Sequence, residues 1–182
     1  MKQMTIKDVQ QVSLDILKDV HEFCVENSIH YSLSGGTLLG AIRHNGFIPW
    51  DDDIDIQLPR PDFECLVRSY KSAKGFKIYY HELNTCEGMT YCYARICDTL
   101  RTHVETGVLS WNTEKVGVWI DVLPCDGMPS DAKDAKKHLK HISYMVKKAY
   151  WYGIKQSSWH NIQKGVNTIA KIKFLLKKYL HI

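Results

Sequence analysis

The order of apolar and polar residues predicts a helix near the start of the chain. Thr5 and Asp8 stand three positions apart, the spacing of a capping box in which each side chain accepts the other's backbone N–H. Apolar residues then recur at helical spacing: Ile6, Val9, Ile16, Leu17, Val20, Phe23 and Cys24. Because this spacing places them on one face, the sequence predicts an amphipathic helix as far as about Asn27.

The next residues predict a short strand followed by a short helix. Apolar and polar residues alternate over positions 29–33, which is the pattern of a strand with one buried face. A Ser-Gly-Gly sequence at 34–36 interrupts this pattern. Positions 37–44 then have helical spacing, and an Asn-Gly pair at 45–46 ends it.

The rest of the chain alternates between the two patterns. Further strands are predicted at positions 54–58, 76–81, 91–97 and 116–123. Helices are predicted from Asp62 to about position 70, from a cap at Ser130 onwards, and over about 159–180. These interleaved elements predict an α+β fold, in which helices flank one mixed β-sheet and the C-terminal region is helical.

Length and composition are those of one folded domain. A chain of 182 residues, 45% hydrophobic and 24% charged, has room for one core but not for two full domains. No run approaches the roughly 18 apolar residues of a membrane span, and the N-terminus contains no apolar signal core. We therefore expect a cytoplasmic protein.

The spacing of the cysteines and the distribution of charge limit the kinds of site that we expect in this chain. The six cysteines contain no C-x-x-C pair, which favours ordinary thiols over a zinc site or disulfides. The net charge of +4 is mild but uneven, because acids dominate positions 51–64 and lysines the last fifty residues. The lysine-rich end is either a solvated helix face or a peripheral contact with the inner face of the cytoplasmic membrane.

A cluster of carboxylates is the most informative feature of the sequence. Asp51, Asp52, Asp53 and Asp55 occupy four of five consecutive positions beside apolar residues. Like charges at this spacing disfavour one another's ionised forms, so stability alone does not explain them, whereas a bound cation does. Asp53 and Asp55 would share one face of a strand, about 7 Å apart, as two acidic ligands of magnesium. The alternative is a solvated acidic turn.

A glycine pair precedes the carboxylates at the junction of a strand and a helix. Gly35 and Gly36 let the backbone approach a ligand closely, and the N–H groups of the following helical turn bind anions. Taken alone, the pair is explained equally by a tight turn. Together with the carboxylates, it predicts a diphosphate site in which the glycines face phosphate oxygens and the acids hold a metal.

A third acid is expected from a neighbouring strand. Asp121 stands alone in the apolar segment 118–123, and paired strands lie about 4.8 Å apart. Burial of an unpaired carboxylate is costly, so we assign Asp121 to a metal or to proton transfer. Asp98 also closes a predicted strand, and we place it in a turn.

The segment GGTLLGAIRHNGFIPWDDDIDI resembles the signature of the LicD-type phosphocholine transferases, a family that includes the fukutin-related sugar-phosphate transferases. The similarity extends into the leading helix and strand, through residues 95–105 and into VGVWIDVLPCDGMP, so it covers roughly the first 130 residues. It implies a nucleotidyltransferase-like core over 1–128, with the basic helical region 129–182 in the same domain.

The resemblance also implies an activity and its partners. It implies transfer of phosphocholine, or a related phospho-alcohol, from a CDP-linked donor such as CDP-choline. The implied acceptor is a hydroxyl of a cell-surface glycan such as teichoic acid or lipopolysaccharide. This glycan can be attached to a lipid. A divalent metal, Mg²⁺ or Mn²⁺, is implied as cofactor, and no nucleic-acid partner is expected.

Position by position, the resemblance assigns roles to residues of this chain. The residues that fall on metal-binding and catalytic acids of the family are Asp53, Asp55 and Asp121. The candidates for binding the donor phosphates are Gly35, Gly36, Thr37, Arg43 and His44. The last two belong to the A-I-R-H turn within the family signature.

We expect phosphoryl transfer by in-line displacement. Asp53 and Asp55 would hold a metal on the donor phosphates, and Asp121 would bind a second metal or accept the proton of the attacking hydroxyl. Two alternatives stay open. The same acids serve nucleotidyl transfer from a nucleoside triphosphate, and a truncated chain of this fold could be an inactive binding module.

Overall fold

The computed structural model describes residues 3–80, 91–104 and 116–153. In chain order, the elements within these ranges are α1 (Ile6–Glu26), β1 (Ser32–Leu33), α2 (Gly35–His44), β2 (Asp55–Pro59), α3 (Arg60–Ser69), β3 (Lys77–Tyr79), β4 (Ala94–Asp98), β5 (Val118–Cys125) and α4 (Ala132–Gly153). The strands form one sheet in the order β1-β2-β5-β4-β3. β2 and β5 are parallel, and the other neighbouring pairs are antiparallel. The predicted α+β fold with a mixed sheet is confirmed.

The two faces of the sheet differ in polarity. In β5, Val118, Ile120 and Val122 are buried while the residues between them are partly exposed, and β2 alternates in the same way. Successive side chains of a strand point to opposite faces, so the buried set lies on one face and packs with α1 and α3. Core residues with no exposed surface include Ile16, Val20, Ile56, Leu58, Phe63, Leu66, Ala94, Ile96, Ile120 and Val122. Most polar side chains of β2 and β5 therefore lie on the other face.

The capping box predicted at the start of α1 is present. The Thr5 backbone N–H donates to Asp8 Oδ2 at 2.8 Å, and the Asp8 N–H donates to Thr5 Oγ1 at 3.3 Å. A cap of this kind stabilises a helix by about 1 kcal/mol. Ile16, Val20 and Cys24 lie on the buried face that the apolar spacing predicted.

The starts of α3 and α4 differ from the predictions by one or two residues. α3 begins at Arg60, so Asp62 lies in its first turn and is not the cap. Pro61 is tolerated there because the first N–H groups of a helix have no intrahelical partner. α4 is capped by Asp131 and not by Ser130, since Asp131 Oδ1 accepts the backbone N–H of Asp134 at 2.9 Å.

The strands predicted at 76–81, 91–97 and 116–123 correspond to β3, β4 and β5, with ends shifted by one to three residues. The helix predicted over 159–180 and the lysines within it lie outside the described residues. Among the helices that the structure describes, none is both long enough and apolar enough to cross a lipid bilayer.

Candidate active site

Three charged residues lie side by side across the polar face of the sheet. Asp55 on β2 is the register partner of Asp121 on β5, and Asp121 is the register partner of Arg95 on β4. Residues directly opposite each other on paired strands have side chains on the same face. The neighbouring row, Ile56, Val122 and Ala94, is fully buried on the opposite face. The sheet therefore fixes two acids and one guanidinium in a line.

Asp121 and Arg95 form an ion pair. Arg95 Nε donates to Asp121 Oδ1 at 2.8 Å, and the two side chains are only 14% and 17% exposed. The assumption that Asp121 is unpaired was wrong, because an antiparallel neighbour strand supplies its counter-ion. Burial raises the pKa of the Asp121 carboxyl, and the Arg95 charge opposes that rise.

The remaining aspartates crowd together beside this row. Carboxylate oxygens of Asp51, Asp52 and Asp53 all lie within 4.8 Å of one another. Burial, followed by the charges of Asp55 and Asp51, raises the pKa of Asp53. Burial, followed by the charges of Asp121 and Asp51, raises the pKa of Asp55. The five acids therefore share one electrostatic environment.

The backbone that carries these aspartates differs from the extended strand that the sequence predicted. β2 begins at Asp55, and positions 51–54 are not in strand conformation. The two-residue period of a strand therefore does not apply to Asp53 and Asp55. Their proximity instead follows from the fold of the 51–54 loop, which also brings in Asp51, a residue not among the predicted ligands.

The glycine pair packs directly against the acids. Gly35 has a positive φ of 52°, and a Cβ placed on it would lie 3.1 Å from Asp55 Oδ2. A Cβ on Gly36 would lie 2.5 Å from Asp51 Oδ2, closer than real Cβ atoms come to an oxygen. Both glycines are in the first turn of α2, which begins two residues before the predicted start. A side chain at either position would require the facing carboxylate to move.

Two hydrogen bonds fix the acids relative to α2 and α1. Thr37 Oγ1 accepts the backbone N–H of Asp55 at 2.8 Å, so the hydroxyl predicted to bind phosphate supports the strand. Gln10 Nε2 on α1 donates to the Asp51 carbonyl at 2.7 Å. Each bond ties the acidic loop to a helix, which limits how far the carboxylates can separate under their mutual repulsion.

Arg43 and His44 lie at the other end of α2. They occupy its last turn, whereas the glycine pair occupies its first, and both side chains are exposed. Eight residues of α-helix span about 12 Å. Along α2, the structure therefore does not bring these two residues to the glycine pair.

The chemistry of the carboxylate cluster fits a hard divalent cation. Mg²⁺ and Mn²⁺ prefer oxygen ligands, and Asp51, Asp53, Asp55 and Asp121 supply carboxylate oxygens from one loop and two adjacent strands. Their mutual repulsion disfavours the ionised forms in the protein alone, and a bound cation would reverse that effect. Arg95 compensates the negative charge of Asp121, and the charges of the other aspartates remain uncompensated by it.

Arg95 and Gln10 were not predicted as parts of this site, and Asp51 was predicted in the acidic cluster but not as a ligand. The signal for Arg95 was present, since it is a lone charge between Ala94 and Ile96 in a strand segment. It could be paired with Asp121 only once the register of β4 and β5 was known. Gln10 gave no signal, because a glutamine on a helix has no pattern that predicts a contact 41 residues away.

Comparison with known proteins gives a family match over the site. Residues 28–122 match the model for the nucleotidyltransferase domain of LicD, FKTN and FKRP. The chain is 32% identical over 175 residues to the lipopolysaccharide cholinephosphotransferase LicD of Haemophilus influenzae, covering 91% of this chain and 62% of that protein. It is 34% identical over 108 residues to an uncharacterized protein of Rickettsia typhi, covering 57% and 33% of the two chains. An uncharacterized protein of Rickettsia prowazekii is 45% identical over 62 residues, covering 34% and 23%.

Proposed function

The chain belongs to the LicD/FKTN/FKRP family of nucleotidyltransferase domains, and on that basis we propose that it is a metal-dependent phosphocholine transferase. Its donor is a CDP-linked phospho-alcohol such as CDP-choline, and its acceptor is a hydroxyl of a cell-surface glycan such as lipopolysaccharide or teichoic acid. One observation carries this proposal: Asp55, which lies against the Gly35 turn, is paired in register with Asp121 inside the family-matched segment. The relative from Haemophilus influenzae, named as a cholinephosphotransferase, supports the choice of phospho-alcohol.

The glycine turn is suited to the donor's phosphates. The first N–H groups of a helix have no intrahelical partner and carry the positive end of the helix dipole. In α2 these groups begin at Gly35 and Gly36, next to the carboxylates of Asp55 and Asp51. Phosphate oxygens bound there would be adjacent to the acids. We assign Gly35 and Gly36 to this role on their position.

The carboxylates would hold the cofactor. Asp53, Asp55 and Asp121 are the proposed ligands of Mg²⁺ or Mn²⁺, with Asp51 as a further oxygen donor. When bound, such a cation offsets charge on the donor phosphates and on the leaving nucleotide. Arg95 Nε donates to Asp121 Oδ1, and a carboxylate accepts more than one bond, so Asp121 can still bind the cation or take the proton of the acceptor hydroxyl, with Oδ2 as the proposed atom.

The reaction exchanges one phosphorus–oxygen bond for another. The acceptor hydroxyl oxygen forms a bond to the phosphorus of phosphocholine, the bond from that phosphorus to the bridging oxygen breaks, and CMP leaves. The hydroxyl proton passes to Asp121 or to solvent. The rigid sheet and the glycine turn contribute mainly by positioning, which is the largest part of catalysis in phosphoryl transfer.

The test is a donor comparison followed by ³¹P NMR and mass analysis of the glycan. Purified protein is incubated with Mg²⁺ or Mn²⁺, a lipopolysaccharide or teichoic acid acceptor, and either CDP-choline or each nucleoside triphosphate. We expect CMP release and a phosphocholine adduct on the glycan when the donor is CDP-choline, and neither product when it is a nucleoside triphosphate. Pyrophosphate release from a nucleoside triphosphate would support the nucleotidyltransferase alternative. Thermal stabilisation by CDP-choline without turnover would support a binding module.

A further inference from the structure

A ring of aromatic side chains surrounds the guanidinium of Arg95. Its Cζ atom lies 4.5 Å from the ring centre of Tyr91, 5.6 Å from that of Tyr93 and 4.5 Å from that of Trp119. The Tyr93 hydroxyl lies 3.2 Å from Arg95 Nη2. A planar guanidinium can stack on rings while it donates in its own plane, which an ammonium cannot do. The ring of contacts therefore fixes the direction in which Nε–H points.

That direction is towards a single atom of the proposed site. Arg95 Nε donates to Asp121 Oδ1 at 2.8 Å, and both residues lie in the row that continues to Asp55. Among the described residues, Arg95 is the basic side chain that pairs with an acid of the carboxylate cluster. Repulsion from Asp53 and Asp55 would otherwise turn the Asp121 carboxylate away from them.

We propose that Arg95, held by Tyr91, Tyr93 and Trp119, is a positioning residue that fixes the Asp121 carboxylate so that Oδ2 faces the cation-binding side of the site. The catalytic role of Arg95 in this inference rests on the proposed function. The positioning of the Asp121 carboxylate by Arg95 does not depend on it. Arg95 itself makes no contact with the donor in this scheme. It acts through the carboxylate.

A second arginine–aspartate pair supplies the matched control. Arg101 Nε donates to Asp98 Oδ2 at 2.6 Å, and Arg101 also lies over an aromatic ring, that of Phe76, at 5.6 Å. Asp98 is not in the carboxylate cluster. Arg101 is more exposed than Arg95, at 56% against 14%, and also lies 3.8 Å from Asp15. Arg101→Met therefore removes an arginine–aspartate pair and a ring contact without touching the proposed site.

The first measurement is Mn²⁺ binding by electron paramagnetic resonance, which does not depend on turnover. The proteins are wild type, Arg95→Met, Asp121→Asn, the double variant and Arg101→Met, each with its circular dichroism spectrum compared with wild type. By Coulomb's law alone, removal of a positive charge beside a cation site tightens binding. Weaker binding is therefore the signature of lost geometry.

We expect Arg95→Met to weaken Mn²⁺ binding about tenfold, Arg101→Met to leave it unchanged, and the double variant to match Asp121→Asn, because residues that act as one unit are not additive. Unchanged or tighter binding in Arg95→Met would overturn the proposal. So would a further loss in the double variant beyond that of Asp121→Asn. Should Arg95→Met fail to fold, Tyr91→Leu, which removes the ring 4.5 Å from the Arg95 guanidinium, should weaken Mn²⁺ binding in the same direction, and unchanged binding in that variant would overturn the proposal.

The second measurement is turnover, read as separate kcat and KM values. A misplaced catalytic group costs up to about 10²-fold in rate, so Arg95→Met should lower kcat by about that factor and leave KM for the donor nearly constant. A rise in KM with constant kcat would show that Arg95 binds the donor directly. If wild-type protein turned over no CDP-linked donor, the proposed function would fail while the Mn²⁺ result would still decide the role of Arg95.

Discussion

Two arginine–aspartate pairs, each with one member on β4, have similar hydrogen-bond geometry but different surroundings. Arg95 donates to Asp121 at 2.8 Å and Arg101 donates to Asp98 at 2.6 Å, both through Nε. Asp98 is 2% exposed, and its Oδ1 also accepts the backbone N–H groups of Leu100 and Arg101 at 3.2 and 3.1 Å. Its hydrogen-bonding capacity is taken up by the turn that follows it, whereas Asp98 itself is the last residue of β4 and not the turn residue that the sequence predicted.

Asp121 is surrounded by other acids. Asp55 is its register partner, and the charge of Asp53 acts on it as well. One guanidinium does not compensate three carboxylates, so charge is left over on the polar face of the sheet. Burial and an ion pair therefore do not by themselves identify a functional acid, since Asp98 has both. What distinguishes Asp121 is the uncompensated negative charge of its neighbours beside the glycine turn.

The largest effect is expected at the acids whose charge is left over. Asp53→Asn removes a proposed metal ligand and should lower transfer by about 10³-fold, with the fold unchanged, because it also removes a like charge from a crowded cluster. CMP release and circular dichroism measure the two quantities. The matched change, Asp98→Asn, should leave kcat within about twofold of wild type, as expected of a substitution away from the chemistry. Wild-type turnover in folded Asp53→Asn would contradict the proposed site.

The next effect is expected at the glycine turn. In Gly36→Ala the new methyl group would lie 2.5 Å from Asp51 Oδ2, so that carboxylate must move. A shift of this size should lower kcat by about 10²-fold. Gly46→Ala is the control, because a Cβ there meets nothing within 4 Å. Equal activity in the two variants would show that the contact between glycine and carboxylate has no role.

A smaller effect, on stability alone, is expected at the closed pair. Asp98→Ala leaves two backbone N–H groups of a partly exposed turn, and Arg101 Nε, without their buried acceptor. Loss of these partners should lower the free energy of unfolding by about 3 kcal/mol, measured by urea denaturation. Turnover by the folded fraction should stay at the wild-type value. A comparable loss of kcat would place Asp98 in the site and remove the contrast between the two pairs.

The smallest effect is expected in the pH dependence of the metal-free protein. Burial and neighbouring charges raise the pKa of Asp53 above its ordinary value of 3.8, so the folded state binds this proton more tightly than the unfolded state. This contribution to stability is present in full below 3.8 and is lost as pH rises through the raised pKa. In EDTA, Tm should therefore fall with rising pH by about 1–2 °C more in wild type than in Asp53→Asn. A larger fall in the variant would contradict the sign.

Much of the fold was predictable because local patterns determine it. The capping box and apolar spacing of α1, the alternation in β5 and the glycine turn before α2 each depend on residues within a few positions of one another. The acidic cluster and the lone Asp121 were also visible, because charges beside apolar residues stand out. These features were sufficient to predict a mixed sheet with acids near a glycine pair.

The remaining parts of the site depend on contacts between distant segments. The pairing of Arg95 with Asp121 requires the antiparallel register of β4 and β5, and the Gln10 contact requires the packing of α1 against the 48–51 loop. The loop conformation of positions 51–54 depends on tertiary contacts and not on strand propensity. Arg43 and His44 were assigned to the donor phosphates from the family resemblance, and α2 separates them from the glycine pair along its axis.

The central claim is that the aspartates and the glycine turn together hold a cation and the donor's diphosphate. The most direct test is ³¹P electron–nuclear double resonance on Mn²⁺ bound to wild-type protein in the presence of CDP-choline. We predict a ³¹P coupling that shows a phosphate oxygen bonded to the protein-bound Mn²⁺, and its loss in Asp53→Asn. Protein-bound Mn²⁺ without ³¹P coupling in wild type, or an equal coupling in Asp53→Asn, would contradict the claim.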